Sequence, residues 1–95
     1  MFTRQADGSY QIVNAESNLC MDVSGASTAA GAQVIQWTCH GSGNQRWIVT
    51  PLSGGGYTIA SQSSGLLLTT ASNADGSPVT QQPETGSALQ HWAID

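Results

Sequence analysis

Asn44-Gln45-Arg46-Trp47-Ile48-Val49 decides the fold, because its centre returns 45 residues later as Gln90-His91-Trp92-Ala93. A second pair keeps step with it: Tyr10-Gln11-Ile12 returns as Tyr57-Thr58-Ile59 at a spacing of 47. Two copies of one ~40-residue unit are therefore present, and the later copy has lost two residues in between. The loss falls where Ser24 to Ala30 faces the shorter Ala71 to Asp75, a Ser/Ala/Gly/Asn-rich stretch that reads as a surface loop. Downstream of it, Gly31-Ala32-Gln33-Val34 matches Gly76-Ser77-Pro78-Val79. Upstream, Met1-Phe2-Thr3 falls on Ile48-Val49-Thr50. Residues 1–9 thus read as the tail of a preceding repeat and a linker, 10–50 as a full repeat, and 57–95 as a degenerate one.

Within the first copy the periodicity is that of strands. Tyr10-Gln11-Ile12-Val13, Leu19-Cys20-Met21-Asp22-Val23, Gln33-Val34-Ile35-Gln36-Trp37 and Arg46-Trp47-Ile48-Val49 are short β-favouring runs. Turn-forming stretches such as Asn14 to Asn18, Ser24 to Ser27 and His40 to Gly43 separate them. No helical stripe of useful length occurs. Four short strands per unit, twice over, make an all-β domain.

Composition narrows the partners. The chain of 95 residues has a formal net charge of −4, two arginines and no lysine, so it cannot neutralise a row of phosphates. Nucleic acid and anionic membrane surfaces are poor partners for it. No apolar run approaches the ~18 to 20 residues that cross a bilayer, so no membrane insertion is expected. The first eight residues lack an apolar signal core, so any secretion signal is absent or already removed. Charged residues make up only 8% of the chain and hydrophobic ones 39%, with three tryptophans, which points to a folded domain with a neutral-polar surface. Such a surface suits neutral hydrogen-bonding ligands.

The pattern Tyr-x-Ile-x-Asn, Cys-x-Asp-Val, Gly-Ala-x-Val-x-Gln-Trp-x-Cys and Asn-Gln-x-Trp, all within residues 10–50, resembles the ricin B-chain type lectins. The resemblance covers nearly everything from Tyr10 to Asp95. It implies β-trefoil type repeats and a carbohydrate-binding role; separately, no enzymatic activity and no cofactor are expected. Trp47, Trp92, Gln45 and Gln90 are implied first as fold residues, the tryptophans in the core and the glutamines tying backbone groups. The family has three repeats where this chain holds two.

Neutral sugar recognition needs a flat apolar surface for the C–H face of the ring and fixed partners for vicinal hydroxyls. By resemblance, Asp22 is the carboxylate, Trp37 the stacking aromatic and Asn44 the amide on the same hydroxyls, with Gln45 supporting it. His40 lies on the adjoining loop as a further candidate contact. Many family members carry a Gln two residues before the aromatic; here Ile35 stands there, and Gln36 beside the ring is the candidate instead. Taken singly, each has a plainer reading: Asp22 as a turn acid, Trp37 as core, Asn44 as a turn former, His40 as a surface residue. The second repeat aligns Thr69 with Asp22, Gln82 with Trp37 and Leu89 with Asn44, so it keeps neither carboxylate nor ring. One site per chain is expected. Cys20 and Cys39 fall at the family's disulfide positions, whereas Leu67 and Glu84 replace them in the second repeat. A disulfide implies an oxidising, extracellular setting.

Two rival classes remain open. Cys39-His40 and the His40/His91 pair suggest a thiol nucleophile or a metal, but a nucleophile needs a base held by a third group and a catalytic zinc three suitably spaced ligands. Two histidines and two paired cysteines supply neither, so no metal site is expected. A non-catalytic interaction domain without sugar binding is the other, because fold does not fix function. The sugar itself is undetermined: galactose, N-acetylgalactosamine, xylose and arabinose units are all bound within the family. Two repeats supply four of six barrel strands. The barrel is expected to stay open, with Ile12, Val34, Trp47, Ile59 and Trp92 partly wet; a homo-oligomer is expected to complete the trefoil, the alternative being a piece of a longer protein whose remaining repeat is supplied by another segment.

Overall fold

The β-favouring runs form strands whose register repeats along the chain. The computed structural model describes residues 1–72 and 77–93. In chain order the strands are β1 (Phe2–Arg4), β2 (Tyr10–Ile12), β3 (Cys20–Val23), β4 (Val34–Trp37), β5 (Trp47–Pro51), β6 (Tyr57–Ser61), β7 (Leu67–Thr70) and β8 (Val79–Gln82). The only helical turns among the described residues are three short 3-10 segments, Ser24–Ala26, Gly43–Gln45 and Ala88–Gln90. The all-β expectation holds.

Each pairing in the first half has its counterpart in the second. β1 faces β2 with Phe2 opposite Ile12 and Arg4 opposite Tyr10; β5 faces β6 with Val49 opposite Ile59 and Pro51 opposite Tyr57. Every residue is displaced by 47, so β1 occupies the place of the last strand of a unit. The connecting turns repeat as well. Gly8 N donates to Gln5 O at 3.0 Å and Gly55 N to Leu52 O at 3.1 Å, with φ of +89° and +99° that a side chain would strain. The hairpin β3–β4 sets Cys20 against Trp37 and Val23 against Val34, and β7–β8 sets Leu67 against Gln82 and Thr70 against Val79. The two-residue difference therefore arises between Thr70 and Val79; residues 73–76 of that stretch, including Gly76, lie outside the described residues. Among the described residues the fourth strand of the second unit is represented by one bridge, Trp92 with Tyr57, matching Trp47 with Tyr10.

Six strands run in the order β1-β2-β5-β6-β7-β8, and β3–β4 forms a separate hairpin. No pairing joins β1 to β8 among the described residues, so the sheet stays open. The expectation of a wet core needs correction in part. Trp47 is fully buried, Ile59 and Ile12 are buried, and Val23 and Leu68 complete the cluster; only Val34 and Trp92 are half-buried. Hydrogen bonds explain how the indoles are seated. Trp47 Nε1 donates to Met21 O at 3.2 Å, so the ring is fixed beneath β3, and Trp92 Nε1 donates likewise to Leu68 O at 3.0 Å. A buried indole with its N–H satisfied keeps its whole apolar gain.

Candidate functional site

β3 and β4 carry the chemistry because strands alternate faces. Asp22 pairs with Ile35 across the hairpin, and Trp37 stands two residues further along β4 on the side of Ile35. Both line a pocket of about 510 Å³, together with His40, Ser42 and Asn44 from the loop before β5 and the Ser24–Ala26 turn. That turn follows β3 directly and is held by positive φ at Gly25 (+65°) and Ala26 (+54°). The sequence reading missed Ser24, Gly25, Ala26 and Ser42 as lining residues. Their signal was chain continuity, since a turn that begins two residues after Asp22 cannot be far from it.

The carboxylate and the ring differ in exposure, as their chemistry requires. Asp22 is only 3% exposed and Trp37 is 58% exposed. Gln45, fully buried, donates Nε2 to Asp22 Oδ2 at 2.8 Å and to Thr38 O at 2.9 Å, while its Oε1 accepts from His40 N at 2.8 Å and Gly41 N at 3.3 Å. One amide thus fixes both the carboxylate and the loop opposite. Oδ1 of Asp22 accepts no hydrogen bond among the described residues, which leaves an acceptor for a ligand. Asn44 is buried and donates Nδ2 to Val23 O at 3.3 Å.

His40 completes the rim. Its Nδ1 accepts from Ser42 N at 3.1 Å, so the neutral imidazole carries its proton on Nε2, which lies 3.6 Å from Asp22 Oδ2. Arg46 anchors the same loop by donating Nε to Gly41 O at 2.9 Å. Cys20 and Cys39 are disulfide-bonded, tying β3 to the residue before His40.

Of the sequence-derived candidates, Asp22, Trp37, Asn44 and His40 meet in this pocket, and Gln45 lies beneath it as a positioning residue. Gln36 does not join them. It sits next to Trp37 on a strand and so faces the other way, where its Oε1 accepts from Ser17 Oγ at 2.7 Å. In the second unit Gln90 repeats the tie of Gln45, donating to Pro83 O at 2.8 Å and to the Thr69 hydroxyl at 3.3 Å. A hydroxyl there gives no charged acceptor, and Gln82 gives no ring. Among the described residues no group of three metal-ligating side chains occurs, and no helix is long and apolar enough to cross a membrane.

The sequence pattern of a ricin-type beta-trefoil lectin domain-like family matches residues 1–82. The chain belongs to that family. Its β-trefoil fold is that of the solved structures it resembles. A designed 3-fold symmetric protein, ThreeFoil, is 35% identical with a TM-score of 0.95 over 99% of this chain and 69% of that one. An exo-beta-1,3-galactanase from Clostridium thermocellum is 33% identical with a TM-score of 0.92 over 97% of this chain, but only 20% of that enzyme is spanned. A Polyporus squamosus lectin, solved with a human-type influenza-binding epitope, is 27% identical with a TM-score of 0.79 over 96% of this chain and 32% of that one. A carbohydrate-binding role in general is what this family carries. The chain spans about two thirds of the designed three-fold structure and so holds part of a trefoil.

Proposed function

We propose that this chain binds neutral carbohydrate at one site, formed by Asp22, Trp37, Asn44 and His40. The single observation that carries the reading is the meeting of a buried, amide-fixed carboxylate with a half-exposed indole in one pocket. Burial of the carboxylate raises the strength of the two hydroxyl hydrogen bonds it accepts, and the exposed ring covers the C–H face of the sugar. Galactose-type and xylose- or arabinose-type units both present the vicinal hydroxyls this set requires. Choice among them lies with the Ser24–Ala26 turn and the His40–Ser42 loop, which border Asp22 on two sides. The disulfide suits a secreted protein working outside the cell.

A monosaccharide of about 12 heavy atoms at roughly 0.3 kcal/mol per atom gives a Kd on the order of millimolar. Useful avidity then comes from several sites acting together. A glycan array of the intact chain, followed by calorimetric titration with the best monosaccharide, tests the reading. Millimolar binding lost in Asp22→Ala supports it. An array without signal for any galactose-, xylose- or arabinose-containing glycan leaves the interaction-domain reading in its place.

A further inference from the structure

The pocket around Asp22 is unlike on its two sides. Asp22 stands opposite Ile35 in the β3–β4 register, and Trp37 follows Ile35 by two residues, so the three side chains share one face of the hairpin. A ring that reaches Oδ1 of Asp22 while lying on the Trp37 indole therefore passes over Ile35, which is half-buried and lines the same pocket. The Ile35 side chain has neither donor nor acceptor. Polar groups come instead from β3 and from the loop before β5, where His40 Nε2 lies 3.6 Å from Asp22 Oδ2 and Ser42 and Asn44 stand beside it. What β4 contributes is carbon.

A pyranose that gives two vicinal hydroxyls to the carboxylate presents one further ring carbon on either side of them. In a hexose held through its 3- and 4-hydroxyls, one of these carries the 2-hydroxyl and the other the exocyclic carbon. The 2-hydroxyl finds partners among His40, Ser42 and Asn44; turned toward Ile35 it would shed water and gain no hydrogen bond. The pocket thus turns the exocyclic edge to Ile35. A hydroxymethyl group there brings its own hydroxyl against carbon, whereas a methyl group or a bare hydrogen has no hydrogen bond to give up.

We infer that Ile35 makes this site selective for sugars without a hydroxyl on the exocyclic carbon, namely 6-deoxyhexoses, and pentopyranoses, which lack that carbon altogether. The inference rests on the sugar-binding reading above and adds to it the ligand class and the residue that selects it. A methyl group also gains apolar contact with Ile35, so the 6-deoxyhexose binds at least as tightly as the pentose.

Calorimetric titration of the intact chain with the methyl glycosides of D-galactose, 6-deoxy-D-galactose and L-arabinopyranose tests it. These share their configuration at the hydroxyl-bearing ring carbons and differ in carrying hydroxymethyl, methyl or hydrogen at one position; D-glucose, 6-deoxy-D-glucose and D-xylose form the matching series. In whichever series binds, the deoxy sugar and the pentose are expected to bind about tenfold more tightly than the parent hexose. Ile35→Thr keeps the β-branch that suits a strand and sets a hydroxyl in that wall, and is expected to cut the ratio to about twofold or less, with thermal melts confirming the fold. The ratio in the unaltered chain decides by itself if the variant does not fold. Equal binding within a series overturns the inference and leaves sugar binding standing, as does an unchanged ratio in folded Ile35→Thr. Absence of binding by all members of both series overturns the inference together with the reading it rests on.

Discussion

Gln45 Nε2 lies 2.8 Å from Oδ2 of Asp22, so a residue that belongs to the repeat's framework also orients the carboxylate of the pocket. Replacing Asp22 tests both roles at once. Asp22→Ala removes the ligand's acceptor and also deprives the buried Gln45 amide of a partner, which costs about 1–3 kcal/mol of stability. Asp22→Asn keeps an oxygen that Gln45 can use while losing the charge. Calorimetric titration is expected to show sugar binding lost in both, with the melting temperature lowered markedly only in the alanine variant.

Trp37→Ala separates binding from folding in the opposite way. The indole is largely exposed, so its removal is expected to change stability by no more than about 0.5 kcal/mol. Sugar binding is expected to disappear with the stacking surface. Thermal melts and titration of the same sample check the pair of outcomes; a large loss of stability would put Trp37 in the core.

Gln45→Glu and Gln90→Glu compare the two units directly. In the first, a new carboxylate meets Asp22; in the second, it meets the Thr69 hydroxyl, which can donate to it. Like charges at hydrogen-bond distance repel, so Gln45→Glu is expected to be the less stable at neutral pH. The sign follows from linkage: repulsion raises the carboxyl pKa in the folded state, so the penalty is largest at high pH and fades as pH falls. Melting curves from pH 4 to pH 8 check it, and equal pH dependence in both variants would exclude the contact.

Reduction of Cys20–Cys39 should cost about 3 kcal/mol on the chain-entropy model for a loop of about 20 residues. Because Cys39 precedes His40, the same treatment loosens one wall of the pocket. Denaturant melts with and without reductant measure the first effect, and the sugar titration the second. Alkylation of either cysteine in unreduced protein would contradict the pairing.

The strands were legible because two copies constrain one another: Tyr10/Tyr57, Trp47/Trp92 and Gln45/Gln90 fix the register without any single run being strongly periodic. Asp22, Trp37, Asn44 and His40 were legible as a set only through the resemblance, since no local pattern links residues up to 22 apart. Gln36 falls outside the pocket because adjacency in sequence to Trp37 is not proximity to the ligand: neighbours on a strand face opposite sides. The burial of Trp47, Ile12 and Ile59 was underestimated for another reason. Counting barrel strands ignores the cover that the β3 hairpin and its Met21 carbonyl give to the indole.

Asp7 is a carboxylate whose donors give the fold an expected acid dependence. Its Oδ1 accepts from the Ser9 hydroxyl at 2.6 Å and from Ser9 N at 2.9 Å, and its Oδ2 from Gln62 at 2.8 Å and Arg46 at 3.1 Å. The Ser9 hydroxyl first, then Gln62 and the Ser9 N–H, with the Arg46 guanidinium beside them, hold its carboxyl well below the usual carboxylate range. A folded-state pKa depressed below the unfolded value contributes stability that is complete above the unfolded value and is lost as pH falls through the folded one. The contribution of Asp7 is therefore present at neutral pH and declines below its ordinary value of 3.8. The contact also joins residues before the first unit to Arg46, which holds Gly41 in the pocket loop, and to Gln62 in the second unit. Asp7→Asn is expected to lower the melting temperature at pH 7 and to flatten the fall in stability below pH 4, because the variant has no proton to take up there. Thermal melts of both proteins across that range measure it. Parallel acid limbs in the two would assign the acid sensitivity to another carboxylate.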